Sequence, residues 1–416
     1  MEKVRKIHSI AWVTSTLDVA SGGARLLLEG IAYYKSIGIR VLVITWDFHE
    51  DALFDGRYSK DDIFEIRGSK AAGLSLTSRA LKRLMTIKTL RNKLVEFKPD
   101  IIFNQSEYDA TILKIALVGT KLRYASFIFG QMFQFYNDIT KYAFPFNRHL
   151  EEIRNSTPGY REFVSEKRPV ARLRDIFLVQ LIAIPRYFAI RSSVALFVFS
   201  KQVQWEVSKL YGVSAHIQKG AYPRSIIGQK FGYDISKLDV HPKERVLLSL
   251  SRLIEKKRVA LKIRALDVLI NERGFDNIRL FVGGKGDELD KLVKLVAELK
   301  LEKYVSFIGF VPEQELYPLT SACDVYLSMD VADFDISPYE ALAMKRKVVW
   351  SSEMDQDEYL SKCGAIFATE PNPNDVATAI EKAIMKDERS IDWSRLDGYS
   401  WETYFQNILE IVEAKL

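Results

Sequence analysis

The second half of the chain alternates short apolar segments, rich in β-branched residues, with longer segments that carry apolar residues at helical spacing. It opens with "RVLLSLS" followed by "ALKIRALDVLINERG", and the same alternation returns several times before residue 395. Strands that are apolar on both faces are typical of parallel sheets covered by helices on each side. The pattern therefore predicts a doubly wound, Rossmann-like α/β domain over residues 243–395.

The first half repeats this alternation at looser spacing. It begins with a strand "HSIAWVTS", a helix "ARLLLEGIAYYKSIG" that Gly38 ends, and a second strand "RVLVITW". Later segments predict a helix "LKRLMTIKTLRNKLVEF" and strands "DIIFNQ", "YASFIFGQM" and "VALFVFS". We expect a first α/β domain over residues 1–222 and a Gly- and Lys-rich linker over 223–242. The two domains are expected to face each other across a cleft.

Composition limits the partners more than it identifies them. Lys and Arg number 60 against 54 for Asp and Glu, and the net charge of +6 weakly favours anionic partners such as nucleotide phosphates. No basic stripe with interleaved aromatic residues appears, so we expect no nucleic-acid partner. Cys323 and Cys363 lack the spacing of a metal cluster, and nothing like a secretory signal precedes them, which predicts a cytoplasmic setting.

The longest apolar stretch, Ile176 to Ile190, is interrupted by polar residues and a proline, so no transmembrane helix is expected. Phe177, Leu181, Ile184 and Phe188 form one helical stripe in it. Such a stripe is more often part of a core than of a membrane interface, and we favour the core interpretation. If the helix is interfacial, a lipid-linked saccharide acceptor at the inner face of a membrane becomes plausible.

Ligands of open parallel sheets bind beyond the carboxyl ends of the strands, so residues just after strands are the candidates. Gly22 and Gly23 can bring backbone N–H groups close to an anion, although a flexible loop explains them equally well. Arg252 and Lys257 can converge on one diphosphate, and the alternative is a solvated basic helix start. The turn "VGGKGDE" lacks the order of a P-loop, and a tight turn is its primary interpretation.

The stretch "DVADFDISPYEALA" has two explanations. Ser337, Pro338 and Glu340 fit a capping box, with Ser337 as the N-cap and Glu340 reaching back to its amide. Asp333 and Asp335 alternatively suggest a divalent metal, because paired carboxylates suit Mg²⁺ or Mn²⁺. A three-residue acidic pattern is common, and we expect no metal here.

Taken in order, "LSLSRLIEKK", "RLFVGGKGDE", "YVSFIGFVPEQELYPLTSACDVYLS" and "DFDISPYEALA" resemble glycosyltransferase family 4, or group 1, which has the GT-B fold and retains the anomeric configuration. The first half agrees through "SGGARLLLEGIAYYKSIGIRVLVIT", "FKPDIIFNQ" and "FVFSKQVQWEVSKLYGV". The resemblance implies an acceptor-side domain over 1–222, a nucleotide-sugar domain over 243–395, and a closing helix over 396–416 that packs back onto the first domain.

The same resemblance implies roles for individual residues. Arg252 and Lys257 would neutralise the donor diphosphate, and Glu340 would hold the ribose as the second glutamate of the family's E-x7-E motif. The remaining donor-binding positions are Gly22, Gly23, Gly283, Ile336 and Ser337. The first glutamate of the motif is replaced by Ala332, so Asp335, or Asp333 beside it, is expected to act on the sugar in its place.

The resemblance thus implies a metal-independent, retaining hexosyltransferase that uses a UDP- or GDP-linked sugar. Its acceptor would be a hydroxyl of a glycan or lipid-linked saccharide, in polysaccharide or glycoconjugate assembly. Departure of the diphosphate would be eased by the two cations and by helix N-terminal amides. Ala332 favours an alternative, a catalytically inactive nucleotide- or glycan-binding protein that keeps the GT-B fold.

Overall fold

The computed structural model describes most of the 416 residues. The described residues are 6–17, 22–48, 59–66, 85–129, 144, 146–156, 173–227, 229, 231–232, 240–241, 243–331, 335–354 and 357–416. They divide into two compact units: the first contains the described residues up to Gln218 together with Trp401–Leu416, and the second contains Lys219–Ser400.

Each unit is built on one parallel sheet. The strands are β1 (Ser9–Thr14), β2 (Arg40–Thr45), β3 (Ile63–Glu65), β4 (Ile101–Asn104), β5 (Tyr124–Ile128), β6 (Leu196–Val198), β7 (His216–Ile217), β8 (Arg245–Leu250), β9 (Ile278–Gly283), β10 (Val305–Gly309), β11 (Val325–Ser328), β12 (Lys347–Ser351) and β13 (Ile366–Thr369).

Helices connect the strands within each unit. They are α1 (Gly22–Ser36), α2 (Ile87–Phe97), α3 (Glu107–Ala116), α4 (Leu150–Ser156), α5 (Leu173–Arg191), α6 (Lys201–Tyr211), α7 (Val259–Asp267), α8 (Leu289–Glu298), α9 (Glu313–Ala322), α10 (Ile336–Ala343), α11 (Glu358–Ser361), α12 (Pro373–Met385) and α13 (Trp401–Glu413). Helix α7 runs on into a π-helical turn, Val268–Glu272.

The strand order is β3-β2-β1-β4-β5-β6-β7 in the first sheet and β10-β9-β8-β11-β12-β13 in the second. Every pairing between these strands is parallel, with Ile10 opposite both Val41 and Ile101 in the first sheet. In each sheet the order reverses at the first strand of the unit, which is the doubly wound topology. The predicted α/β architecture of two Rossmann-like domains is confirmed.

The core of the first unit is tied together by aromatic side chains around Trp12 on β1. Trp12 stacks on Phe127 with ring centroids 5.6 Å apart and meets Phe405 of α13 edge-on at 6.4 Å. A Cβ at Gly30 of α1 would lie 2.6 Å from the Trp12 ring, so only glycine allows α1 to approach the sheet this closely. The C-terminal helix α13 therefore packs within the first unit, against α1.

The second sheet is buried on both faces because alternate residues of its strands point to opposite sides. Leu247 on β8 packs in a cluster with residues of α7, α8 and α12, whereas Val246 and Leu248 pack with Leu319 of α9 and Leu342 of α10. This two-sided burial explains the nearly continuous apolar strands in the sequence. It leaves the two ends of the strands as the places where polar loops can gather.

The apolar stripe of α5 is not core, contrary to our preferred interpretation. Leu181, Ile184 and Phe188 are 56%, 40% and 57% exposed, and the side chain of Phe177 lies outside the described residues. The spacing had indicated one helical face correctly, but helical spacing does not say which neighbour covers that face. Among the described helices, none combines the length and the hydropathy needed to cross a membrane.

Candidate functional site

A cluster of charged side chains lies at the carboxyl edge of the second sheet, where β8 and β11 run side by side. Lys257 ends a short 3-10 turn that follows β8, and Asp330 lies two residues beyond β11. The Lys257 Nζ donates a hydrogen bond to Asp330 Oδ2. The Asp330 side chain is only 2% exposed, while the Lys257 side chain is 19% exposed, so the lysine lies on the solvent side of the pair.

Asp335 is the third member of this cluster and begins helix α10. Its Oδ1 accepts a hydrogen bond from the Ser337 amide at 3.4 Å, and its Oδ2 accepts one from the Ser328 hydroxyl at 3.1 Å. The same Oδ2 lies 4.0 Å from Lys257 Nζ. One carboxylate thus caps the helix and faces the lysine at the same time.

A second lysine, Lys262 of α7, is the fourth member of the cluster. It is buried, and its Nζ donates to the Ser249 hydroxyl at 2.8 Å. Burial lowers the pKa of Lys262 to about 8, although the nearby Asp330 and Asp335 oppose this. At neutral pH Lys262 therefore adds a positive charge beneath the two carboxylates.

The pKa values of the two aspartates are shifted in opposite directions. Burial and the neighbouring Asp335 raise the pKa of the Asp330 carboxyl to about 6, against the pull of Lys257 and Lys262. Burial also works to raise the pKa of Asp335, but Lys257 and hydrogen bonds with Asp330, Ser328 and Ser337 outweigh it, and that pKa lies below its ordinary value. Asp335 is the firmly ionised member of the pair, whereas Asp330 takes up a proton on mild acidification.

Lys257 remains charged in this environment. Burial works to lower the pKa of Lys257, but the carboxylates of Asp335 and Asp330 outweigh both it and the repulsion from Arg252, so the pKa lies above its ordinary value. Arg252, in the first turn after β8, is exposed, and no salt bridge of its guanidinium is found among the described residues. The structure thus brings the two predicted cations to the same edge of the sheet.

Backbone hydrogen bonds connect the loop after β8 to the end of β9 and the loop that follows it. Ser251 N donates to Gly283 O at 3.0 Å, and Leu253 N donates to Lys285 O at 2.9 Å. A Cβ at Gly283 would lie 2.5 Å from Leu250 Cδ2, and one at Gly284 would lie 1.8 Å from the Ser251 carbonyl oxygen. The glycines let these loops pack closely, which fixes the backbone that carries Arg252.

The predicted capping box at Ser337 is wrong. Helix α10 begins at Ile336, its N-cap is Asp335, and Ser337 and Pro338 lie inside the first turn. Asp and Ser cap helices about equally well, and the aspartate is placed first along the chain that arrives from β11. The Glu340 carboxylate is buried and accepts a hydrogen bond from the Tyr317 hydroxyl at 3.1 Å.

Other predicted positions have different outcomes. Ile336 is buried at the start of α10, beside the capped Ser337 amide. Asp333 and Ala332 lie outside the described residues, so the alternative between Asp333 and Asp335 stays open. Among the residues that the structure describes, no group of three or more His, Cys, Asp or Glu side chains is arranged to hold a metal ion.

Gly22 and Gly23 lie in the first unit and are the first two residues of α1 rather than loop residues. The Gly23 carbonyl accepts a hydrogen bond from Gln105 Nε2 at 3.1 Å, and the Thr14 hydroxyl donates to Gln105 Oε1 at 3.2 Å. Gln105, just beyond β4, thus fixes the start of α1 against the end of β1. This start is at the carboxyl edge of the first sheet, as predicted.

Sequence reasoning missed Asp330 and Lys262 as members of the cluster. Asp330 stood in the acidic stretch after "CDVYLS", and Lys262 stood at a position of α7 whose neighbours are buried. A lysine among core-facing residues of a helix is a signal for a buried charge partner. The sequence does not identify that partner without the strand order, because β8 and β11 are far apart along the chain.

The arrangement offers an anion two cations of different kinds beside a helix start. Arg252 presents an exposed planar fork, and Lys257 presents a compact ammonium held by carboxylates. The Asp335 carboxylate already accepts from the Ser337 amide and offsets the partial positive charge at the start of α10, so the two cations carry the attraction for phosphate oxygens. The site is therefore suited to bind an anion that makes several contacts, such as a diphosphate.

Comparison with known proteins agrees with this chemistry. The family model described as glycosyl transferases group 1 matches residues 234–395. Human alpha-1,3/1,6-mannosyltransferase ALG2 is 29% identical over 160 residues, which cover 35% of this chain and 38% of that protein. The alpha-monoglucosyldiacylglycerol synthase of Streptococcus pneumoniae is 29% identical over 154 residues, or 36% of this chain and 34% of the relative. The chain thus spans little more than a third of the length of these two relatives.

Solved structures match over nearly the whole chain. Sucrose-phosphate synthase from Thermosynechococcus elongatus superposes with a TM-score of 0.72 at 12% identity, covering 98% of both chains. Anabaena Alr3699/HepE in complex with UDP and glucose superposes with a TM-score of 0.67 at 16% identity, covering 98% of this chain and 100% of that one. At such identities the likeness concerns the fold. Residues 234–395 therefore resemble the group 1 glycosyl transferase family, in a chain whose fold is that of the GT-B glycosyltransferases.

Proposed function

We propose that this protein transfers a sugar from a nucleotide diphosphate sugar to a hydroxyl of a glycan or lipid-linked saccharide. The observation that carries the proposal is the convergence of Arg252 and Lys257 on the carboxyl edge of the second sheet, beside the start of α10. The group 1 match over residues 234–395 supports a nucleotide sugar as the donor. The acceptor, the hexosyl group and a place in polysaccharide or glycoconjugate assembly belong to the same proposal.

The leaving diphosphate gains negative charge as the glycosidic bond to the donor breaks. Lys257 is held by Asp330, and the backbone that carries Arg252 is held by the loop after β9, so both cations are available to this charge as it develops. Glu340, buried on α10, would hold the ribose, and Gly283 and the amides of Ile336 and Ser337 line the same edge. We propose that the reaction proceeds with retention and without an obligate metal, and that Gly22 and Gly23 are also donor-binding residues.

The donor class is tested by a thermal-shift screen against UDP, GDP, UDP-glucose and GDP-mannose. Binding to the folded state alone raises the melting temperature, on the order of 5 °C at about a hundred times the Kd. An R252A/K257M double variant should lose most of the shift, whereas K294M, which removes an exposed lysine of α8, should keep it. Equal shifts in the double variant and the wild type would contradict the assignment of the two cations.

A second assay on the same protein distinguishes donor binding from catalysis. A retaining transferase commonly transfers its sugar slowly to water, so release of free glucose or mannose from the bound donor reports an active site. Nucleotide binding without any such release, and without transfer to added saccharides, would favour the alternative of an inactive nucleotide-binding protein. That alternative keeps the role of Arg252 and Lys257 in binding and removes the role of Asp335.

We further propose that the first unit contacts the inner face of a membrane through α5. Leu181, Ile184 and Phe188 present one exposed apolar face, and Arg191 at the end of the same helix is exposed beside it. Apolar side chains flanked by basic ones bind the surface of anionic bilayers. One relative carries the name alpha-monoglucosyldiacylglycerol synthase, which is consistent with an acceptor embedded in lipid.

Liposome sedimentation tests this contact. The wild type should bind vesicles that contain phosphatidylglycerol at low salt, and an L181S/F188S variant should bind at least about tenfold more weakly, because burying two such side chains contributes several kcal/mol. V118S is the matched control, since Val118 is a 66% exposed residue of the same unit that lies off this face. Failure of the wild type to bind anionic vesicles would count against the membrane contact and leave the donor site untouched.

A further inference from the structure

Asp330 is a fully buried member of the charged cluster, and the proposed reaction gives it no role. Its side chain is 2% exposed and its nearest cation is Lys257, a residue that we assign to the donor diphosphate. The hydrogen bond between them uses one of the three N–H groups of the ammonium. The same lysine therefore serves an internal carboxylate in this structure and phosphate oxygens when a donor binds.

We propose that Asp330 is a positioning residue that holds the Lys257 ammonium at the carboxyl edge of the sheet. It takes up a proton when the phosphate oxygens of a bound donor accept hydrogen bonds from that ammonium. This inference rests on the proposed role of Lys257 in donor binding. Asp330 does not touch the donor and acts only through the lysine. Its effect is to make donor affinity depend on pH, with tighter binding at lower pH.

The geometry limits how Asp330 can respond. Asp335 already accepts from Ser328 and Ser337, and its pKa below the ordinary value keeps it ionised. Lys262 is buried near the pair, and its Nζ donates to the Ser249 hydroxyl, so the charge of Lys262 stays inside the protein. When phosphate oxygens share the Lys257 ammonium, Asp330 is left as a buried carboxylate beside a second carboxylate. Protonation is the response that removes this unfavourable charge.

The neighbouring groups do not titrate in the same range. The Asp330 pKa of about 6 rises when Lys257 is shared and anionic phosphates arrive, so uptake is expected just above pH 6. Lys262, with a pKa of about 8, is already protonated there. The pKa of Tyr326, which burial and the two aspartates raise, lies well above this range.

The direction in which donor affinity changes with pH follows from the linkage between proton binding and donor binding. A group whose pKa rises on binding holds more protons in the complex than in the free protein, so affinity increases as pH falls through the interval between the two pKa values. A rise of about one unit from a pKa near 6 gives an uptake of roughly half a proton per donor at about pH 6.5. Above the raised pKa, Asp330 is ionised in both states and the dependence disappears.

Isothermal titration calorimetry in MES and in imidazole, two buffers of different ionisation enthalpy, measures this uptake directly on the unmodified protein. The probes are UDP-glucose and GDP-mannose, because both of their phosphates are esterified and neither titrates near pH 6, unlike the terminal phosphate of UDP. The wild type should take up about half a proton at about pH 6.5. D330N should bind with no uptake and with a Kd that does not change between about pH 6 and pH 7.5.

D276N is the matched control, since Asp276 is exposed just before β9, at the opposite edge of the sheet from the cluster. It should bind with the wild-type uptake. Binding of a probe to the wild type without proton uptake, or equal uptake by D330N, would overturn the role of Asp330 and leave the proposed function standing. If neither probe binds the wild type, the proposed function and this inference both fail.

Discussion

Replacing Lys257 with methionine should lower kcat/KM for donor hydrolysis by about two to three orders of magnitude. Methionine keeps the length and apolar stem of lysine but removes the charge, and the loss of one preorganised group that stabilises a developing anion typically costs this much. Part of the loss should appear in KM, because the ground-state diphosphate also contacts the ammonium. The measurement is release of glucose from UDP-glucose, or of mannose from GDP-mannose.

The same replacement changes the charge balance inside the second unit. Without Lys257, the carboxylates of Asp330 and Asp335 keep Lys262 as their partner but lose the cation that is hydrogen-bonded to Asp330, so the variant is also expected to unfold at a lower temperature. Folding must therefore be checked at the assay temperature by circular dichroism. K294M again serves as the control, and a folded K257M protein that keeps more than about a tenth of the wild-type kcat/KM would remove Lys257 from the mechanism.

The sequence predicted the architecture because the strands of both sheets are buried on two faces. "RVLVIT" and "RVLLSL" are nearly all apolar for that reason, and helices with one apolar face must cover them. The edge strands β3 and β7, with three and two residues, were not predicted. Segments this short carry too few residues for a pattern to stand out from a loop.

The site was predicted in part, and there is a physical reason why some of its residues could be located from the sequence and others could not. Arg252 and Lys257 follow a strand whose carboxyl end could be placed from the sequence, so their location was accessible. The pairing of Lys257 with Asp330 depends on β8 and β11 being neighbours, which is a property of the sheet order. No local pattern records that order, and a buried ion pair between residues 73 positions apart is invisible without it.

Two local assignments failed because several local solutions have similar free energy. Asp335 and Ser337 are both good N-caps, and the path of the chain from β11 decides between them. The stripe Leu181, Ile184 and Phe188 fits a core helix and an interfacial helix equally well, and only the packing of neighbouring elements shows that it is exposed. In both cases tertiary structure selects among alternatives that the sequence leaves open.

The second large effect is expected at Asp335. Replacing it with asparagine should reduce turnover of the donor by at least about three orders of magnitude while the Kd for the nucleotide changes by less than about threefold. Asparagine caps helices as well as aspartate does, because its side-chain oxygen can still accept from the Ser337 amide. Its NH2 group takes the place of Asp335 Oδ2 and can donate to the Ser328 hydroxyl oxygen, which reverses the direction of that hydrogen bond. Helix α10 should therefore keep its start, and Lys257 keeps its hydrogen bond to Asp330.

What D335N removes is a partly buried negative charge whose lowered pKa keeps it ionised at neutral pH. A carboxylate in this position can stabilise positive charge on the sugar ring as the bond to the diphosphate breaks, a role that matters in the transition state and not in donor binding. The predicted outcome is a fall in kcat at nearly constant nucleotide affinity, measured by donor hydrolysis and by calorimetry. D276N should behave as the wild type in both assays. Unchanged turnover in D335N would assign Asp335 to the helix cap alone, and the task of the motif glutamate would pass to another residue, with Asp333 the first to test.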